Sequence, residues 1–461
     1  MTVPQVEHVN GPRDLLKDAG RVLAEWGVTE RDNYLLAPVS QAIADLFAPF
    51  PDDREGEAPL VRAAALRSAP LVSIIIPCYN AERFLAETIS SMLGQTCQDI
   101  ELIAVDDGST DRTREIVTQF DDPRIRYIYQ ENRGPAAARN TGIRAAKGDY
   151  IALLDADDLA LPHRLAAQLG VLEAHPELSV VSSGYEWIDD QGRLVPWNNH
   201  SWQRWPELND IGPWLFDCPF VPSATMFRRD AWEDVGGFDE ELIGPEDWSF
   251  WMRLVLAGHR MEWHRDVVCL YRHRNDSVSQ SAERQTVMCA KTLLRVMEHP
   301  DFPPSLLEAG QQAVALRYVD GTKRLYTSGL WPQGQAVLKQ ALTLDPRLMA
   351  GQPCRIEDEL MSAALDPLIA DPISFLRSEL GHLPEEAQAL CARQGYMLSR
   401  CHLELLARGV HRRDLGLLRG HWRPVITALP GWAFDPGAWA FVVRAIRNRL
   451  AAVRNRIKRR R

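Results

Sequence analysis

Long apolar runs are missing from this chain. No stretch of about 18 to 20 uninterrupted apolar residues occurs in its 461 residues, which excludes a helix that crosses a bilayer. The first residues lack a basic segment followed by an apolar core, so no export signal is read and the chain is expected to stay in the compartment where it is made. Paired cysteine spacings are missing too. The eight cysteines (Cys78, Cys97, Cys218, Cys269, Cys289, Cys354, Cys391 and Cys401) are scattered, mostly in apolar or helical contexts, and are expected to be free thiols in a reducing cytoplasm. No G-x-G-x-x-G follows the first apolar run at 71–76, which removes a dinucleotide dehydrogenase. Residues 74–82 are neither glycine-rich nor basic, which argues against a nucleotidyltransferase built on a similar sheet.

Hydrophobic residues make up 46% of the chain and charged residues 25%, the balance of a folded soluble protein, and the length suffices for two or three domains. The net charge of −10 is unevenly spread. Nine Lys or Arg and no acid fall between Arg444 and Arg461, so a basic tail follows a body more acidic than the whole. Val442, Val443, Ile446, Leu450, Val453 and Ile457 recur at three- and four-residue steps, forming one apolar stripe on a helix whose other faces are almost all arginine. Such a helix can lie in the headgroup region of an anionic leaflet, pack on the acidic body, or bind nucleic acid. The anionic membrane surface is the expected partner of 442–461, and no nucleic acid is expected.

Four regions are expected. Residues 1–68 read as a helical extension, with Leu15, Leu16, Val22, Leu23 and Trp26, then Ile43, Leu46 and Phe47, at helical spacing, and a linker rich in Pro, Asp and Glu at 49–59. Residues 69–281 alternate short β-branched runs (71–76, 101–105, 125–129, 150–154) with helices of roughly ten residues (84–93, 112–120, 136–146). That alternation implies βαβ units, a mainly parallel sheet and a Rossmann-like nucleotide-binding half. A strand at 180–183 follows, then a tryptophan-rich stretch (Trp187, Trp197, Trp202, Trp205, Trp214), read as packing with room for a sugar-stacking wall. Residues 282–432 turn helical, and 318–344 resemble one tetratricopeptide-like hairpin, although stable arrays need about three units. Residues 433–461 hold the basic amphipathic helix. The fold class is α/β with all-α flanks.

Carboxylates collect where the strands end. Asp155-Ala156-Asp157-Asp158 follows the run 150–154 and sets hard oxygen ligands at the carboxyl edge of a sheet, a place for a divalent cation holding a phosphate. The same residues can instead be a turn that caps a helix entered at 159–162. Pro77-Cys78-Tyr79-Asn80 ends the first run; Pro77 fixes the turn and Tyr79 can stack on a base. Asp106-Asp107-Gly108-Ser109 ends the second, where a carboxylate can accept a hydrogen bond from a base N–H and the glycine permits a close turn. Gly134-Pro135-Ala136 opens a helix with Arg139 one turn in. This supplies backbone N–H groups and a cation for anionic groups, or it is a proline-started helix with a solvated arginine. Pro245-Glu246-Asp247-Trp248 opens another helix, whose dipole the two acids suit.

In order and spacing, VSIIIPCYNAERFL, ELIAVDDGSTDRT, NRGPAAARNTGIRAAKGDYIALLDADD, GGFDE and PEDWSFWMRL resemble a family 2 glycosyltransferase with the GT-A fold, over a little under half of the chain. The resemblance implies that Tyr79 and Asp107 hold a nucleobase, with Pro77 and Asp106 beside them, and that Arg139 helps with base or phosphates. It implies that Asp155 meets the donor ribose and that Asp157 binds Mg2+ or Mn2+ on the pyrophosphate. Asp247 is then the catalytic base, with Glu246 positioning it or the acceptor. His273 falls where many members close a loop over the diphosphate and is grouped with Asp157 at the metal, its alternative being a structural histidine. One base acting opposite the leaving group implies inversion at the anomeric carbon. The expected reaction is metal-dependent transfer from a nucleotide sugar, a UDP-sugar first among them, to a hydroxyl of a glycan or lipid-linked acceptor in cell-surface polysaccharide synthesis. Its expected place is the cytoplasm, or the inner face of the cell membrane. The alternative is a catalytically silent nucleotide-sugar-binding scaffold of a glycan-assembly complex, which has no need of Asp107, Asp155, Asp157 and Asp247 together.

Overall fold

The computed structural model describes residues 70–195, 207–273, 282–351, 353–366 and 369–412, with Trp202, Trp205 and His421. The helical extension and linker expected in 1–68, Trp197 and the basic helix of 433–461 lie outside the described residues. The first half of the sheet is built from β1 (Val72–Cys78), α1 (Leu85–Leu93), β2 (Ile100–Asp107), α2 (Thr113–Thr118), β3 (Ile125–Gln130), α3 (Pro135–Ala145) and β4 (Tyr150–Leu153). These four strands run parallel in the order β3-β2-β1-β4. β1 and β2 are buried almost throughout because both of their faces are covered, and are apolar apart from Ser73 in β1 and Glu101, Asp106 and Asp107 in β2. Ile75 and Ile103 enter one core with Ile143 of α3, while Ile74, Ile76 and Leu102 enter the other with Leu85 and Ile89 of α1, as two-residue alternation requires.

The chain then crosses to the second half through β5 (Leu159–Ala160), α4 (Arg164–Ala174), β6 (Leu178–Ile188), β7 (Leu194–Val195), α5 (Ile211–Trp214), β8 (Thr225–Arg228), α6 (Arg229–Asp234), α7 (Glu246–Leu256) and β9 (Arg260–Arg272). The sheet continues from β4 as β8-β6-β9-β5, with β7 on β6. β8 is antiparallel to both neighbours, whereas β6 and β9 pair in parallel with irregularities around Gly184. A Cβ at Gly184 would meet the Trp202 ring at 2.4 Å, so the glycine is what lets that indole lie on the sheet. Trp214 is fully buried and donates its indole N–H to Leu208 O at 2.8 Å, the packing role expected of this stretch. All eight cysteines are free thiols.

Helices α8 (Ala282–Met297) and α9 (Leu307–Thr327) share a core with the sheet: Ala290, Leu293, Val296, Ala313 and Val314 join the cluster that holds Phe227 and Trp251. Residues on both sides of 282 therefore pack as one body. α10 (Trp331–Leu344), α11 (Arg355–Ala364), α12 (Pro372–Gly381) and α13 (Gln394–Arg412) build a separate core around Tyr326, Leu338, Ile356, Leu376 and Met397. α9 and α10 form the hairpin expected at 318–344. Gly334 sits where a Cβ would lie 2.4 Å from the Tyr326 ring, so the two helices close only over a glycine.

This helical core contains Glu379, fully buried, with neither carboxylate oxygen hydrogen-bonded. Burial pushes its carboxyl well above the usual range, and Lys323 only partly offsets this. A raised folded pKa leaves stability intact below the unfolded value and removes it as pH rises above that value. Glu379→Met, similar in volume and free of charge, should therefore raise Tm by about 2–4 °C or more at pH 8 and by less at pH 5, in thermal melts of the full chain.

Candidate active site

β1 and β2 end side by side, with Cys78 paired to Asp106. Asn80, at φ 49°, ties the two ends: its N–H donates to Ser109 Oγ and its Oδ1 accepts from Thr110 N–H, both at 2.9 Å. Asparagine tolerates this left-handed backbone better than most residues. Asp106 is buried and accepts from Ser109 N–H at 2.9 Å and the Tyr127 hydroxyl at 2.6 Å. Burial, then that hydrogen bond, push the Tyr127 hydroxyl upward, keeping it a donor. Asp107 is also buried and accepts from Gln130 Nε2 at 2.6 Å, Arg133 N–H at 2.9 Å and Gly134 N–H at 2.8 Å. It thereby shapes the loop that leads into α3. Gly108, at φ 78°, lies so close to this loop that a Cβ would be 2.8 Å from Asn132 N. Pro77 lies within β1, and Tyr79 just past its end is 56% exposed, as is Tyr129 of β3 at 59%. Two aromatic rings thus stand open at this edge, of which the sequence reading identified only Tyr79.

Past β4, Leu154 N–H donates to Ile75 O, Asp155 N–H to Ser223 Oγ at 3.0 Å, and Asp158 N–H to Asp155 O at 3.1 Å, closing a turn. Residues 159–162 do not enter a helix. Leu159 and Ala160 pair with β9, and α4 starts at Arg164 without a side-chain cap, so the capping alternative for this acidic turn is set aside. Asp158 points inward, where its Oδ1 accepts from Arg272 N–H at 2.8 Å. Its carboxyl is pushed far up by burial and then by Asp157 and Asp155.

Arg272, like Tyr129, carries no signal in the sequence that marks it for the site. Its buried guanidinium donates to Asp157 O at 2.7 Å, Asp189 O at 3.1 Å and Glu87 Oε1 at 2.6 Å, and lies 4.2 Å from the Phe84 ring centroid. Three separate parts of the chain meet on it, around residues 84–87, 157 and 189. His273 follows directly, exposed, with its N–H on Ile188 O at 2.9 Å and its ring centroid 5.2 Å from that of Trp187. It therefore stands one residue from the arginine that grips the acidic turn. The loop expected to follow it, 274–280, lies outside the described residues.

Arg139 brings the last group together. Buried on α3, it donates to Asp155 Oδ1 at 2.6 Å and to Glu246 Oε1 at 2.5 Å, bridging the end of β4 to the first turn of α7. Glu246 is buried as well and accepts from Gly244 N–H at 2.7 Å; burial raises its carboxyl against the pull of Arg139. Asp247 is half-buried and accepts from Trp248 N–H at 2.7 Å. Burial and then the Glu246 charge push its carboxyl up to about 7, with Arg139 pulling it back. A carboxylate with a pKa near neutrality can take a proton from a hydroxyl and release it again.

Asn140 reaches from α3 to the Gly236–Glu240 segment, donating to Phe238 O at 2.8 Å and accepting from Phe238 N–H at 2.9 Å. This fixes the approach to Glu246. Among the described residues no three His, Cys, Asp or Glu side chains close a metal-ligand set. Asp155 and Asp157 nevertheless offer hard carboxylate oxygens on one turn. Mg2+ and similar ions are commonly held by one or two such groups and completed by phosphates.

Residues 73–236 match the family Glycosyl transferase family 2. Chondroitin synthase of Escherichia coli is 32% identical over 200 residues, 43% of this chain and 28% of the relative. An uncharacterized glycosyltransferase, MJ1057 of Methanocaldococcus jannaschii, is 30% identical over 233 residues, 49% of this chain and 78% of the relative. The chain spans between 28% and 63% of the lengths of four such relatives. Among solved structures, TarS 1–349 of Staphylococcus aureus in complex with UDP-GlcNAc is similar at 20% identity and TM-score 0.47, over 70% of this chain and 92% of that one.

Proposed function

The chain belongs to glycosyltransferase family 2, and from that membership we propose that it transfers a sugar from a nucleotide sugar, a UDP-sugar first among them, to a hydroxyl of a glycan or lipid-linked acceptor in polysaccharide synthesis. The observation that carries this reading is the placement of Asp247 in the first turn of α7, next to Glu246, which the Arg139 bridge ties to Asp155 at the end of β4. A silent scaffold has no use for a carboxylate set beside such a bridge.

In this reading Tyr79 stacks on the nucleobase, and Asp107, with Pro77 and Asp106 beside it, fixes the loop against which the base lies. Asp155 meets the donor ribose, and Arg139 acts through Asp155 and Glu246 rather than on the donor itself. Asp155 and Asp157, with His273 close by, are the groups that would hold Mg2+ or Mn2+. Bound there, the ion would offset charge on the departing diphosphate. Asp247 takes the proton from the acceptor hydroxyl as its oxygen attacks the anomeric carbon. The bond to the nucleotide breaks on the opposite face, so the configuration inverts. Glu246, locked by Arg139 and Gly244, sets the angle of the helix that carries Asp247.

The test is calorimetric titration of the full chain with UDP, GDP, dTDP and CDP, each with Mn2+ and with EDTA. One nucleotide should bind in a metal-dependent way, and Asp157→Ala should reduce its affinity in Mn2+ toward the value in EDTA. Absence of binding by all four would turn the reading to a scaffold.

A further inference from the structure

We infer that helices α8 and α9 complete the acceptor side of the site, and that Arg317 of α9 binds an anionic group, phosphate or carboxylate, on the acceptor. This rests on the transfer reading above. Arg317 is half-buried, and its guanidinium sits 5.3 Å from the ring centroid of Trp248, the residue after Asp247. Its one hydrogen-bond partner is the carbonyl of Phe216; its Nε has none, and no carboxylate pairs with it among the described residues. By contrast, Arg295 on α8 and Arg324 on α9 both pair with acids.

A partly desolvated guanidinium without a counter-ion is costly, and its planar fork favours phosphate or carboxylate. The neighbourhood is that of the base. A Cβ on Gly244, two residues before Glu246, would lie 2.6 Å from Gln285 Nε2 of α8. One turn on, the Cys289 thiol donates to Gln285 Oε1 at 3.5 Å, and burial pushes it up to about 11. The aromatic and carboxylate groups assigned to the donor stand at the ends of β1, β2 and β4. The flank made by Phe216, Gln285, Cys289 and Arg317 is left for the group that Asp247 deprotonates.

The full chain, loaded with whichever of the four nucleotides it binds, is titrated with methyl glucoside, methyl glucoside 6-phosphate and methyl glucuronide. The wild type should bind one anionic probe about tenfold or more tightly than the neutral one. A preference for the 6-phosphate identifies a phosphate-bearing acceptor, and one for the glucuronide a carboxylate-bearing acceptor. Arg317→Gln should erase the preference and Arg317→Lys keep part of it, with nucleotide affinity equal in all three proteins as the check on folding. Equal or undetectable binding of anionic and neutral probes by the loaded wild type, or a preference that survives Arg317→Gln, overturns the inference alone. Failure of the wild type to load any nucleotide overturns the transfer reading and this inference with it.

Discussion

Asp247→Asn is expected to cut sugar transfer by about 10²–10⁴-fold while nucleotide affinity stays within about twofold of the wild type. The amide keeps the shape of the carboxylate and its place beside Trp248 N–H, and loses the ability to take a proton. Because burial and Glu246 hold the Asp247 carboxyl at about 7, transfer by the wild type should rise with pH through that value. The variant's residual rate should not. The same substitution should stabilise the fold. A carboxyl whose folded pKa is raised costs nothing below its unfolded value near 3.8; the loss grows as pH climbs toward about 7 and is constant above it. Thermal melts at pH 4 should therefore find the two proteins alike, and melts at pH 8 should find Asp247→Asn the more stable. A variant that loses nucleotide binding as well would show that Asp247 belongs to the donor pocket.

Arg139→Met should cause the largest loss of stability of any single change near the site, about 3–5 kcal/mol, read from urea unfolding at pH 7.5. The arginine is buried, and removing it leaves Asp155 and Glu246 facing each other with Asp247 close by. Three acids then share a poorly solvated space without a cation. Arg139→Lys should recover only part of the loss, since one ammonium cannot place two forked N–H groups on carboxylates from different elements. If Lys matched Arg in stability, the bridge would matter only as charge.

The first sheet half was legible because β1, β2 and β4 are short, rich in apolar residues and covered on both faces, and because β3, at the edge and partly exposed, still carries Ile and Tyr at four of its six positions. Observed boundaries fall within about two residues of those expected. β9 was not found, although Met261 and Trp263 alternate with exposed residues. Its charged and polar positions resemble a loop, and the irregular pairing with β6 around Gly184 breaks the period. The carboxylates of the site could be read from their positions, Asp106, Asp107, Asp155 and Asp157 where strands end and Glu246 and Asp247 where a helix opens. Their partners could not: Asp107 is bound by a loop some 25 residues on, and Arg139 by acids from β4's end and α7. A solvated arginine and a bridging one look the same in sequence. Arg317 left no trace, because its meaning depends on a helix returning to the sheet.

The contacts of Arg272 also set an order of events. Glu87 and Arg272 are 185 residues apart, and Asp158 finds its backbone donor 114 residues downstream. A nascent chain that has reached residue 158 holds the whole parallel quartet, every acid of the turn, and the Thr88 hydroxyl and Arg139 guanidinium that bind it, yet none of the contacts made by Arg272. Such distant closures come late in folding. The contacts of the acidic turn are thus completed only once translation has passed Arg272, at the end of β9.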